Sequence, residues 1–74
     1  MLGLPRMNES LMFELVKLLE SMIEPGERVE LPTTAVVRVS APEGLDAGIE
    51  RLQIALPDWT IRPFGKDVTF VRHA

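Results

Sequence analysis

The sequence predicts a small α+β domain in which two helices pack on one face of a mostly antiparallel sheet of three or four strands. Two observations predict this class. Apolar residues recur at helical spacing in two segments, one ending near Ile23 and the other near Leu56. Segments of alternating or β-branched residues follow each of them, and the last pair flanks a turn that contains Gly65. The predicted order is α-β-β-α-β-β, in a single domain spanning residues 1–74.

The first helix is predicted to begin at Asn8 or Ser10, either of which can act as an N-cap, and to end near Ile23. Its apolar residues form two stripes, displaced from each other by one position. The stripes are Leu11, Leu15, Leu18 and Met22, and Met12, Val16, Leu19 and Ile23. On a helical projection they merge into an arc of about 160°, wider than one core-facing side requires. We therefore expect part of this helix to present apolar surface beyond its own core.

Two strands are predicted between the helices. Residues 27–31 place Val29 and Leu31 on one side, as a short edge strand does, and Pro32 then interrupts the pattern; a loop is the alternative for this segment. Residues 33–39 are rich in β-branched side chains, and the alternation places Ala35, Val37 and Val39 on one face of a strand.

The second helix is predicted from a capping box in which Ser40 is the N-cap and Glu43 returns to its backbone N–H. Its apolar stripe is Leu45, Ile49, Leu52 and Leu56, and Pro57 ends it. Gly48 lies beside that stripe. Because glycine weakens a helix by about 1 kcal/mol relative to alanine, we expect Gly48 to allow close approach to the sheet.

Residues 59–63 and 68–72 are predicted to form a hairpin around the turn from Phe64 to Asp67. With four strands the order is a circular permutation of the ferredoxin-like arrangement, with one sheet face open. With three strands the case for dimerisation is stronger, because small sheets usually extend or stack to protect an edge or a face. This analogy rests on element order and implies no activity.

Composition limits the possible functions. The 74 residues carry 8 Lys+Arg against 11 Asp+Glu, a formal net charge of −3, with no cysteine and one histidine. Disulfides and cysteine-based zinc sites are excluded. The chain also lacks the excess of basic residues that is typical of proteins that bind duplex nucleic acid. Scarce amides, no cysteine and six prolines suit a thermophile-like composition. Residues 1–7 are predicted to be a flexible tail, with Met7 a second candidate for the natural start, and the protein is expected to be cytoplasmic with no membrane segment.

No catalytic, cofactor or metal-binding constellation is predicted. His73 stands alone near the C-terminus, and Glu20, Glu24, Glu27 and Glu30 match no cation-loop signature. Nucleophile elbows, phosphate-cradling glycine loops and HExxH helices do not occur in the sequence. The protein is therefore not expected to be an enzyme.

The favoured function is a homodimeric interaction or accessory module, with an unidentified further protein partner left open. A domain of this size has a core worth only a few kcal/mol, so self-association is a usual source of additional stability. The interface is predicted to use apolar side chains left exposed on the monomer. These are Phe13, Ile54, Phe64 and Val71.

Two alternatives remain from the sequence. One is a small-ligand-binding regulatory domain with its site at a subunit interface. The other is single-stranded nucleic-acid binding through the C-terminal hairpin, by Arg62, Phe64 and Arg72. The second is disfavoured because Trp59 and Ile61 should face away from Arg62 and Phe64.

Overall fold

A computed structural model of the chain describes residues 7–74. Its elements are α1 (Met7–Met22), β1 (Arg28–Pro32), α2 (Thr33–Ser40), α3 (Leu45–Ala55), β2 (Trp59–Phe64) and β3 (Asp67–Arg72). The α+β class is confirmed, with the lower of the two expected strand counts. The predicted tail lies outside the described residues, except for Met7, which is the first residue of α1.

The sheet has the order β1-β3-β2, and both pairings are antiparallel. The edge strand predicted for residues 27–31 is confirmed, shifted by one residue, and β1 and β2 are both edges. The hairpin is confirmed as well, with Gly65 at a φ of 63° in its turn. That positive φ is the conformation for which the turn needs glycine.

The two faces of the sheet differ in character. One face, which we call the core face, packs against the helices and carries those apolar strand residues that belong to the core or pack against it. These are Val29, Leu31, Trp59, Ile61, Val68 and Phe70. The opposite face, here the open face, carries the alternate residues, all of them exposed or half-buried. The predicted separation of Trp59 and Ile61 from Arg62 and Phe64 is therefore confirmed.

The prediction of a strand at residues 33–39 is wrong, because Thr33–Ser40 forms α2. The buried positions, Val36 and Ser40, are one helical turn apart, and Arg38, which would share their face in a strand, is exposed. β-branched residues disfavour a helix by only a few tenths of a kcal/mol each. Burial of Val36 at 0% exposure outweighs that cost. With this segment helical, the four-stranded ferredoxin-like permutation does not form.

The predicted capping box is wrong for a related reason. Ser40 is the last residue of α2, and its hydroxyl lies 2.7 Å from the Val36 carbonyl oxygen and 2.9 Å from that of Gly44. Since Ser40 is 1% exposed, these acceptors satisfy a hydroxyl that burial removes from water. The next helix, α3, begins only at Leu45, with Gly44 as an N-cap that makes no side-chain hydrogen bond. Its predicted end before Pro57 is confirmed.

The close approach expected at Gly48 occurs, but toward α2 and not toward the sheet. A Cβ at this position would lie 2.6 Å from both the Cβ and the Oγ of Ser40. Gly48 therefore sets the distance between α2 and α3, which together with α1 form the helical layer.

The core lies between this helical layer and the core face of the sheet. Met12 and Leu19 of α1, Val36 of α2, and Leu52 and Leu56 at the end of α3 are its buried helical contributors. Among residues 7–74, no helix combines the length and apolar character needed to cross a bilayer. The cytoplasmic location stays a prediction.

Candidate functional site

The two apolar stripes predicted on α1 have different environments. The stripe containing Met12 and Leu19 is in the core, where these side chains are 8% and 5% exposed. The other stripe faces outward, with Leu11 43%, Leu18 54% and Met22 66% exposed. α1 thus has two apolar faces, and only the face containing Met12 and Leu19 packs in the core of the monomer.

An apolar groove continues from this exposed stripe to β1. It encloses about 150 Å³ between the C-terminal half of α1 and the edge strand. Its lining consists of Leu15, Leu18, Leu19, Met22, Ile23, Val29 and Leu31. The outward stripe consists of the exposed Leu11, Leu18 and Met22 and the half-buried Leu15. We call this stripe, together with Val29 and Leu31, the α1–β1 surface. Contiguous exposed apolar surface of this kind marks interaction sites more often than scattered apolar residues do.

β1 borders this surface with an unpaired backbone edge. The N–H of Arg72 donates to the Glu27 carbonyl, and the N–H of Thr33 donates to the Lys66 carbonyl. Because hydrogen-bonded positions alternate along an antiparallel strand, the odd-numbered residues of β1 direct their N–H and C=O groups toward β3. The N–H and C=O groups of Arg28 and Glu30 therefore point away from the sheet. Pro32, which has no N–H, ends the edge. β1 is thus a short edge with two residues able to pair with another strand.

The four predicted interface residues do not share one surface. Phe13 lies on α1, where the Lys17 ammonium sits 5.4 Å from its ring, and Ile54 lies on α3. Phe64 and Val71 are both on the open face, but Phe64 is opposite Asp67 whereas Val71 is opposite Thr60 and Arg28. Phe13, Ile54 and Phe64 are 64%, 75% and 75% exposed, and Val71 is half-buried.

The sequence indicates the wide apolar arc on α1 but does not show which of its members are exposed. The signal was the spacing of Leu11, Leu15, Leu18 and Met22, which are separated by four, three and four residues. That alternation is the a/d spacing of a helix that packs against another helix. Which of the two stripes would be left outside depended on where the sheet lies.

The three candidate nucleic-acid contacts divide between the faces. Arg62 and Phe64 are on the open face, whereas Arg72 pairs with Trp59 on the core face. The Arg72 guanidinium donates to the carbonyl oxygens of Glu20, at 3.1 Å, and of Ile23, and it lies 5.5 Å from the Trp59 ring centroid. These carbonyls belong to the C-terminal end of α1, where a cation is favourable and where α1 has none of its own. Arg72 therefore ties α1 to the sheet.

Replacing Arg72 should separate this structural role from one in ligand binding. We expect Arg72→Met to lower the free energy of unfolding by about 1–2 kcal/mol, because charge-assisted hydrogen bonds to the end of α1 are lost. Arg62→Met, on the exposed open face, should change it by less than about 0.5 kcal/mol. Urea denaturation followed by circular dichroism measures both, and equal effects would contradict the assigned role.

A second, more polar cleft lies at the end of the sheet beside Arg72. It encloses about 400 Å³, and Glu20, Trp59, Asp58 and His73 are among its lining residues. His73 Nε2 is 2.6 Å from the Thr60 hydroxyl. Within residues 9–74, every buried side-chain nitrogen or oxygen has a hydrogen-bond partner. Nor does this part of the chain contain a group of three or more His, Cys, Asp or Glu side chains that could hold a metal ion.

Comparisons of the chain with protein-family models, with curated proteins and with solved structures find no match. Indications of function therefore come from the α1–β1 surface, its charges and its exposed backbone.

Proposed function

We propose that this protein is a homodimeric interaction or accessory module, with no chemistry of its own, that associates through the α1–β1 surface. The observation that supports the proposal most directly is the outward stripe of α1, in which Leu18 and Met22 are 54% and 66% exposed. A second copy is the partner that offers an equally apolar surface at equal concentration.

The energetic argument follows from the size of the domain. Fully burying a Leu or Met side chain contributes about 1.5–3 kcal/mol, and a twofold interface counts each residue of the stripe twice. A core of this size supplies only a few kcal/mol. Burial of the α1–β1 surface is therefore comparable to the stability that the monomer obtains from its own core.

The polar residues beside the stripe are compatible with self-association. Glu14 and Lys17 are both exposed on α1 and border the stripe on its solvent side. They carry opposite charges, so two antiparallel copies of α1 can bring Glu14 of one copy toward Lys17 of its partner. Like charges on this border would instead oppose a symmetric dimer.

Native mass spectrometry on the wild type and two glutamate variants tests the proposal. We expect the wild type to be a dimer at micromolar concentration. Leu18→Glu should be a monomer with an unchanged circular dichroism spectrum, because it places a carboxylate in the interface. The matched control is Ile54→Glu, which changes an even more exposed apolar residue on α3 and should remain a dimer.

Two results would contradict the proposal. A monomeric wild type refutes self-association. Dissociation by Ile54→Glu but not by Leu18→Glu would move the interface to α3 and restore the prediction made for Ile54 from the sequence.

The two alternatives have weaker support. Single-stranded nucleic-acid binding by the open face retains Arg62 and Phe64 but has Arg72 on the other side of the sheet. Small-ligand binding is supported by the volume of the polar cleft beside Trp59. A retained small molecule or oligonucleotide would add its mass in the same native spectrum, and it would then displace pure assembly as the favoured function.

A further inference from the structure

We propose that two copies join edge to edge through β1, pairing antiparallel about a twofold axis at Val29, so that the two three-stranded sheets become one continuous sheet. This inference rests on the proposed self-association and specifies its geometry. It assigns β1 as the strand of contact and places Arg28 of each copy opposite Glu30 of the other.

The first support is the backbone. Arg28 and Glu30 point their N–H and C=O groups outward, because the hydrogen bonds at Glu27 and Thr33 fix the odd-numbered residues toward β3. In an antiparallel pair centred at Val29, Arg28 and the copy's Glu30 form a hydrogen-bonded pair, and Val29 faces its own copy in a non-hydrogen-bonded pair. All outward groups of these two residues are then satisfied.

The second support is charge. Arg28 and Glu30 lie on the open face, both exposed, with opposite charges. Centring the pairing at Val29 places each arginine opposite a glutamate. Centring it at Arg28 would oppose two arginines, and centring it at Glu30 would oppose two glutamates, with Pro32 facing Arg28. Like charges directly opposite each other destabilise a sheet, so one register is favoured.

The third support is the apolar side of the same edge. Val29 and Leu31 are on the core face, only half-buried, and they line the groove beside α1. An axis through Val29 perpendicular to the sheet brings the two valines together and places both α1 helices on the same side of the joined sheet. The exposed stripes of α1 then face each other across the axis. The same twofold rotation therefore covers the apolar groove, buries the exposed stripe of α1 and pairs the backbone edge of β1.

Charge reversal tests the register without disturbing the core. Arg28→Glu and Glu30→Arg should each raise the dimer dissociation constant about tenfold, since each opposes like charges twice. The double variant Arg28→Glu/Glu30→Arg should return to within about twofold of the wild type. Arg62→Glu is the control on the open face, because it lies on β2 at the other edge, and it should leave the constant unchanged.

A cysteine at the axis gives an independent test, since the chain has no cysteine of its own. As a non-hydrogen-bonded pair, Val29 and its copy should have Cα atoms about 4.5 Å apart, within disulfide range. Mild oxidation of Val29→Cys should therefore yield a covalent dimer, while Arg62→Cys should not.

The outcomes distinguish this inference from the proposed function. If the wild type is a dimer but Val29→Cys does not cross-link and charge reversal has no effect, the β1 pairing is wrong and self-association stands. If the wild type is a monomer, both fail. Rescue by the double variant, with cross-linking at Val29, establishes the register.

Discussion

Phe70→Ala is expected to lower the free energy of unfolding by about 4 kcal/mol, the range found when a buried phenylalanine is removed from a core. Phe70 is 0% exposed and lies in the central strand, with Val29 on one side and Ile61 on the other. Alanine leaves a cavity at the point where the two pairings meet. Since small domains are stabilised by only about 5 kcal/mol, the variant should retain about 1 kcal/mol, which leaves roughly 15% of the molecules unfolded at room temperature.

Urea denaturation followed by the fluorescence of Trp59 measures this effect. Trp59 is the one tryptophan and is 3% exposed, so unfolding transfers it to water. Phe64→Ala is the matched control, the same change at a side chain that is 75% exposed, and should cost less than about 0.5 kcal/mol. All variants are compared at one protein concentration, because dimerisation adds to apparent stability. Similar losses of unfolding free energy at both positions would contradict the placement of Phe70 in the core. If Phe70→Ala does not fold, the milder Phe70→Leu keeps the comparison measurable.

The hairpin and the first helix could be predicted because the information for them is local. Gly65 allows the tight turn, and the alternation on either side fixes which residues face the helices. The 3-and-4 spacing along α1 likewise fixed both of its stripes. In these segments, propensity and pattern favour the same structure.

The segment at residues 33–40 could not be predicted in this way, since two patterns coexist in it. Ala35, Val37 and Val39 alternate as in a strand. Val36 and Ser40 are one helical turn apart, and the charged Arg38, which would share their face in a strand, is exposed. The second pattern prevails because those two side chains meet α3 beside Gly48. That contact depends on a residue outside the segment, so β-propensity within it favoured the wrong structure.

The α1–β1 surface could be predicted only in part, because its exposure depends on contacts with residues outside the first helix. The sequence indicated an apolar excess on the first helix, and this holds. Leu18 and Met22 became recognisable as the exposed part only once the order β1-β3-β2 placed the helical layer over the core face. The outward direction of the Arg28 and Glu30 backbone groups also follows from the pairing with β3, which no local pattern contains.

Gly48→Ala is expected to destabilise the protein by about 2 kcal/mol, although alanine is the better helix former by about 1 kcal/mol. The added Cβ would lie 2.6 Å from the Cβ and Oγ of Ser40. Ser40 cannot rotate its Cβ away, and its hydroxyl is bonded to the carbonyl of Val36. The two helices must therefore separate, which opens the packing around Val36 and Leu52, both 0% exposed.

A second-site change tests that explanation. In Ser40→Gly/Gly48→Ala the space lost at one helix is regained at the other, and the double variant should be more stable than the sum of the two single changes predicts. Thermal unfolding of the four proteins measures this coupling. Strict additivity would show that the cost of Gly48→Ala does not come from the approach of α2 to α3. A stabilised Gly48→Ala variant would show that helix propensity prevails and that the two helices are free to move apart.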